Sequence, residues 1–214
     1  MRLLFSALTV LVLLNATAMA CPGQTGKVIF EDTFTDDSGG WQLGAPDSEI
    51  KDGSLWLRPN PRGMTEKGRN INSTVRTFSA TDGDYCVEFI VPKPVAADND
   101  FMTGLVFWQS SSTDEYLWAV YTDGTTQLNK LAANKWTRIF SDNTGKLEPG
   151  STASLRVIAK DGKLTLFVGS KQVKVIRAQT PTGDLAFGVL AEVEKLSDAN
   201  PVLQVKSFKV TTGE

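Results

Sequence analysis

The chain has 214 residues, a formal net charge of −2, two cysteines and no histidine, with 41% of its residues hydrophobic. The missing imidazole excludes Ser-His-Asp triads, Cys-His pairs, His-ligated zinc and imidazole proton transfer. A charge so near neutrality argues against a nucleic-acid partner, which demands a basic face or stripe.

The first twenty residues, MRLLFSALTVLVLLNATAMA, put a cation at Arg2 ahead of an apolar run from Leu3 to Leu14, with small residues at Ala18 and Ala20. This is the layout of a secretory signal peptide cut after Ala20, too short and too lightly flanked for a transmembrane anchor. No later stretch is long and apolar enough to cross a bilayer as a helix, so residues 21–214 are expected to form one secreted or periplasmic domain with a substantial core. Cys21 has two readings. It could be acylated, as in bacterial lipoproteins, although that cleavage box prefers Leu where this chain has Ala18. The preferred reading is a disulfide to Cys86, suited to an oxidising compartment and to tying down the first strand.

Beyond the leader, no segment carries a sustained helical repeat; short β-type runs alternate with turn signals. The predicted strands are KVIFEDTF, SLWLRP, STVRTFS, YCVEFIV, TGLVFWQ, EYLWAVYT, KWTRIFS, TASLRVIAK, KLTLFVG, KQVKVIR, GDLAFGVLAE and VLQVKSFKV. Between them DDSGG, KDG, TDGD and TDG supply Asp and Gly, which tolerate the positive φ of tight turns. Strands of this number and length without helices define a sandwich or barrel.

In EDTFTDD, Asp32, Asp36 and Asp37 could offer oxygens to calcium, but the last two more simply begin the turn toward SGGW, and no metal site or cofactor is expected. The segment RPNPRGMTEKGR is locally basic through Arg58, Arg62, Lys67 and Arg69, and its Pro and Gly content predicts a solvated loop. Later, Leu155, Val157 and Ala159, then Leu164, Leu166 and Val168, then Val173 and Val175 share faces opposite polar partners, which predicts a three-strand meander with one wet face.

TGLVFWQ and EYLWAVYT differ because they are apolar on both faces, as befits strands in the middle of a sheet. Alternation puts Leu105, Phe107, Tyr116, Trp118 and Val120 in the core. It leaves Trp108, Leu117, Ala119 and Tyr121 on the other face, with Gly104 and Ala119 small enough to leave a hollow. A hairpin shifted by one residue would exchange the two sets. By the same parity Leu55 and Leu57 face in, and Trp56 and Arg58 face out. Exposed rings over small residues suit stacking on a pyranose, with Arg58, Gln109 or Glu115 supplying hydrogen bonds.

FEDTFTDDSGGW, IKDGSLWL, CVEFIV, GLVFWQSSSTDEYLWAVYTDG, KWTRI, SLRVIAKDGKLTLFVGSKQV and GDLAFGVLAE follow, in order, a layout that resembles secreted concanavalin A-like (lectin/glucanase, laminin G-like) jelly-roll domains. The sequence is similar to the bacterial branch that includes the domain named 3-keto-disaccharide hydrolase. The resemblance implies an all-β, two-sheet antiparallel jelly-roll β-sandwich that binds sugars on the concave face or at the loop rim. It also implies pairing of Cys21 with Cys86. Lys206 stands where relatives often carry an Asp, which speaks against a calcium site there.

For cleavage of a glycoside the chain has only carboxylates, and the Glu-x-Asp-x-x-Glu strand of the glucanases is absent. The nearest string, AEVEKLS, has Glu192 and Glu194 on one strand face where the strand runs out, and Asp114 with Glu115 forms a second acidic pair. The expectation is therefore a non-catalytic carbohydrate-binding domain, with Trp56, Arg58, Trp108, Glu115 and Tyr121 as the ligand-binding set. The alternatives are a glycoside hydrolase using Glu115, Glu192 or Glu194, and an envelope module that binds a protein through an exposed apolar patch.

Overall fold

The computed structural model describes residues 21, 23–61, 67–74, 77–79, 81–93, 100–197 and 201–213. The predicted leader and Arg62 lie outside the described residues. Fifteen strands follow in order: β1 (Val28–Asp32), β2 (Ser48–Lys51), β3 (Ser54–Leu57), β4 (Asn60–Pro61), β5 (Gly68–Ser73), β6 (Gly83–Ile90), β7 (Phe101–Ser111), β8 (Asp114–Tyr121), β9 (Thr125–Ala132), β10 (Lys135–Asn143), β11 (Thr152–Lys160), β12 (Lys163–Val168), β13 (Lys171–Arg177), β14 (Ala186–Val193) and β15 (Leu203–Thr211). Among the described residues there is no helix.

The strands form two antiparallel sheets. One runs β13-β12-β11-β6-β15-β3-β2, with β1 also pairing β15; the other runs β10-β9-β8-β7-β14-β5-β4. Alternating apolar residues of both sheets meet in a single core that includes Leu55, Val87, Leu105, Trp118, Leu155, Leu166, Val189 and Val205. Phe187 is central to its aromatic part, stacked on Phe78 and on Phe208 with ring centres 5.4 and 4.8 Å apart. Burial of each such large side chain stabilises the fold by roughly 2–3 kcal/mol.

The meander β11-β12-β13 forms as expected. One detail differs: a register shift between β12 and β13 turns Val175 outward, 49% exposed, and packs Ile176 against the core instead. Four strands were not anticipated: β2 and β4 on either side of the predicted SLWLRP, β5 at the end of the predicted loop RPNPRGMTEKGR, and β9, formed by TTQLNKLA. Of the predicted strand STVRTFS, only Ser73 belongs to a strand among the described residues, with Thr74 and Phe78 in isolated bridges. β5 turns Gly68, Asn70 and Asn72 away from the groove, and β9 sets Thr126 and Lys130 beside Leu128 opposite core residues of β8, so on both strands the core-facing side is largely polar or small and the alternation that marks a strand in sequence is missing.

The Cys21–Cys86 bridge is present, with Cα atoms 6.0 Å apart. Tyr85, Val87 and Phe89 of β6 enter the inter-sheet core, so Cys86 faces the outside of that sheet. The N-terminal segment is strapped there. Gln24 Nε2 donates to the Asp84 carbonyl at 2.8 Å, Thr211 Oγ1 to the Thr25 carbonyl at 2.6 Å, and Arg156 Nη2 to the Gly23 carbonyl at 2.7 Å. Arg156 also grips the buried Asp84 carboxylate through Nε at 2.8 Å and Nη2 at 2.5 Å.

Candidate functional site

The sheet containing β7 and β8 curls. Arg69 on β5 and Trp136 on β10 have four strands between them, about 24 Å if the sheet were flat. Yet the Arg69 guanidinium lies 5.4 Å from the centre of the Trp136 ring. The outer face of this sheet is therefore a groove, and it holds a cleft of ≈ 660 Å³. Trp136, Arg69, Gln109, Glu115, Asn134 and Asp184 are among its walls, and Ser110, Ser111 and Ser112 form part of its rim.

Glu115 reaches the cleft by ordinary parity. On β8 the odd positions Leu117, Ala119 and Tyr121 lie on the groove face, while Tyr116, Trp118 and Val120 enter the core. Gln109 reaches it by a different route. The β7–β8 register shifts after Phe107, and Trp108 at the shift has a positive φ of 51°. This β-bulge turns both Phe107 and Trp108 into the core and delivers Gln109 to the groove. There its Nε2 donates to Glu115 Oε2 at 2.5 Å. Glu115 is only 3% exposed, so this contact holds its carboxylate in a fixed orientation.

The expected ligand-binding residues are dispersed. Trp108 is 1% exposed, and its indole donates to the Thr81 carbonyl at 2.7 Å, so it is a core residue rather than a platform. The simple alternation used to place it outside fails because the bulge inserts one residue. Trp118 is buried as expected. Trp56 lies on β3 in the opposite sheet, where its indole donates to the Lys51 carbonyl and Lys51 Nζ stands over its ring. Arg58 follows it there, with its backbone held between Asp47 and Asn70. Tyr121 is on the groove face, half-buried against Met102, Val106, Leu117, Ala119 and Leu190. Burial and the neighbouring Glu192 and Glu194 push its hydroxyl up to about 12. The hollow expected at Gly104 and Ala119 is filled, because a Cβ at Gly104 would overlap Leu117 and touch Leu190. Of the expected set, only Glu115 lines the cleft.

Trp136 was visible in KWTRI but had no assigned role. Its place follows from pairing with Leu131 of β9, a strand the sequence pattern does not reveal. Arg69, expected in a solvated loop, is a strand residue whose Nε donates to the nearly buried Glu192. Glu194 pairs with Lys67 at 2.7 Å on the surface. Among the described residues, no group of three or more acidic or thiol side chains is arranged to hold a metal ion.

No protein-family model matches the chain, and no curated protein matches it in sequence. Solved structures do. The carbohydrate-recognition domain of Emp47p aligns with a TM-score of 0.66 at 15% identity, over 88% of this chain and 98% of that one. A β-glucanase of Bacillus licheniformis aligns with a TM-score of 0.62 at 15% identity, over 88% and 99%. The carbohydrate-binding module CBM66 of Bacillus subtilis aligns with a TM-score of 0.58 at 11% identity, over 80% and 95%. The fold is thus the concanavalin A-like jelly roll, which hosts binding modules and hydrolases alike and so leaves function to the site.

Proposed function

We propose that this protein is an exported, non-catalytic carbohydrate-binding domain whose ligand occupies the cleft on the curled sheet. The observation that carries this reading is the pairing, in one hollow, of a partly buried indole, Trp136, with fixed polar groups at Gln109 and Glu115. An indole stacks on the apolar face of a pyranose, while carboxylate and amide groups take its hydroxyls. The similar solved structures include a carbohydrate-binding module and a carbohydrate-recognition domain. The disulfide supports export to an oxidising compartment.

The spacing of carboxylates favours binding over cleavage. Glu192 lies in the Met102–Tyr121 row, six residues along β8 from Glu115. Six residues of strand span about 20 Å, whereas glycosidase acid pairs stand roughly 5–9.5 Å apart. Glu192 is also engaged by Arg69. A hydrolase reading retains one specific support, that Asp184 shares the cleft with Glu115. Titration calorimetry against a panel of oligosaccharides tests the binding reading, with Trp136→Ala expected to abolish heat that Trp56→Ala leaves intact. Release of reducing sugar by the wild type but not by Glu115→Gln would instead establish the hydrolase.

A further inference from the structure

The cleft is closed at one end and continued at the other. Its closed end is the bridge from Arg69 to Trp136, which crosses the groove from β5 to β10. Arg69 is held in that position by Glu192, whose side chain is 5% exposed. Withdrawing the guanidinium would strand a carboxylate in a low-dielectric setting, so the bridge resists displacement. Against it lies the apolar cluster of Met102, Val106, Leu117, Ala119 and Leu190, onto which Trp136 packs. All five are buried, so no open channel runs along this part of the sheet.

At the other end, Ser110, Glu115 and Leu131 line both the main cleft and a side pocket of ≈ 190 Å³. That pocket is walled by Lys130 and by the segment between β13 and β14 that carries Thr180, Pro181 and Thr182. Ser110, Glu115 and Leu131 stand between the two hollows, and Trp108 and Tyr116 complete the side pocket from beneath.

Resting on the carbohydrate reading above, we propose that the cleft takes the end of a glycan chain. The terminal residue lies against Trp136 and Arg69, and the next one leaves over the Ser110–Glu115–Leu131 ridge into the side pocket. The interior of a chain needs an exit at each end of its site, and among the described residues the Arg69–Trp136 bridge blocks one of them. A terminal sugar also carries the hydroxyl that an internal one spends in its glycosidic bond, a donor that Glu115 and Asp184 are chemically suited to accept.

The test is stoichiometry. Linear β-glucans, xylans and fructans are fractionated by length, and each fraction is titrated calorimetrically into the full chain. For a polysaccharide that binds, the number of protein molecules bound per chain is expected to stay constant as chain length grows. A number rising in proportion to length overturns the proposal while leaving the carbohydrate reading intact, whereas no binding to any of these polymers or to their mono- and oligosaccharides overturns both. A second arm uses Thr182→Trp at an exposed position beside the side pocket, with an unchanged urea midpoint showing that the Trp108 and Tyr116 rings at the pocket floor are undisturbed. It is expected to weaken trisaccharides about tenfold and to leave the corresponding monosaccharide unaffected. Equal effects on both, or none, overturn the path over the ridge.

Discussion

The Gln109 amide donates to the Glu115 carboxylate at 2.5 Å across the β7–β8 hairpin, and it faces the cleft only because the preceding residue, Trp108, bulges into the core. Without that extra residue, parity would turn Gln109 toward the core and an indole toward the groove. The bulge thus exchanges a large ring for an amide beside the one carboxylate that most deeply underlies the site.

Adjacent residues of β7 should therefore respond differently to truncation. Trp108→Ala is expected to cost about 3–5 kcal/mol of stability, because it opens a cavity among Phe107, Tyr116 and Tyr85 and orphans the Thr81 carbonyl. Gln109→Ala, which takes one donor from the nearly buried Glu115 carboxylate without opening a core cavity, is expected to cost about 1–3 kcal/mol and to weaken saccharide binding about tenfold. Equilibrium denaturation and calorimetry read the two effects separately.

Trp136 and Trp56 provide a matched comparison of two partly buried indoles on opposite sheets. A saccharide in the cleft should quench or shift the fluorescence of Trp136, and a Trp136→Phe variant should lose that change. Trp56→Phe should retain it in full, and a response that disappears with Trp56 instead would move the site to the other sheet.

The outer face of the other sheet carries stability without contact to the cleft. Replacing both Cys21 and Cys86 by Ser reopens a loop spanning 65 residues and is expected to cost about 4 kcal/mol in the chain-entropy account. Arg156→Met, which leaves Asp84 buried without its guanidinium, is expected to cost about 3–5 kcal/mol. Both are read as shifts of the denaturation midpoint, with saccharide affinity of the folded protein preserved.

Tyr121 makes stability pH-dependent at the alkaline end. Burial and the Glu192 and Glu194 charges raise its hydroxyl to about 12 from an ordinary value near 10. Between these values the folded state holds a proton that the unfolded state has lost, so stability falls as pH rises from 10 to 12. Tyr121→Phe should reduce that slope. Ultraviolet absorbance titration should show the same variant losing one late-ionising phenol, while Tyr85, also raised by burial, stays later still.

The sequence by itself determined an all-β chain of short strands, and it offered the Cys21–Cys86 bridge as the preferred of two readings. Period-two apolar patterning in β6, β7, β8, β11, β12 and β14 is a local consequence of placing one face in a core, so it is legible wherever that face is apolar. Glu115 was legible for the same reason, since an undisturbed strand carries its parity from Tyr116 to Tyr121. The site as a whole was not. Its walls are gathered from β5, β7, β8, β9, β10 and β14 and from the segments that carry Asn134 and Asp184, and two of those strands, β5 and β9, have polar or small residues on their core-facing side as well and so lack the contrast that alternation needs. Its platform was misplaced because one left-handed residue at Trp108 reverses the parity of the residues after it, and no residue type in FWQ announces it. That Arg69 and Trp136 meet at all was decided by the curl of a sheet with four strands between them, a cumulative property of twist that no local string encodes.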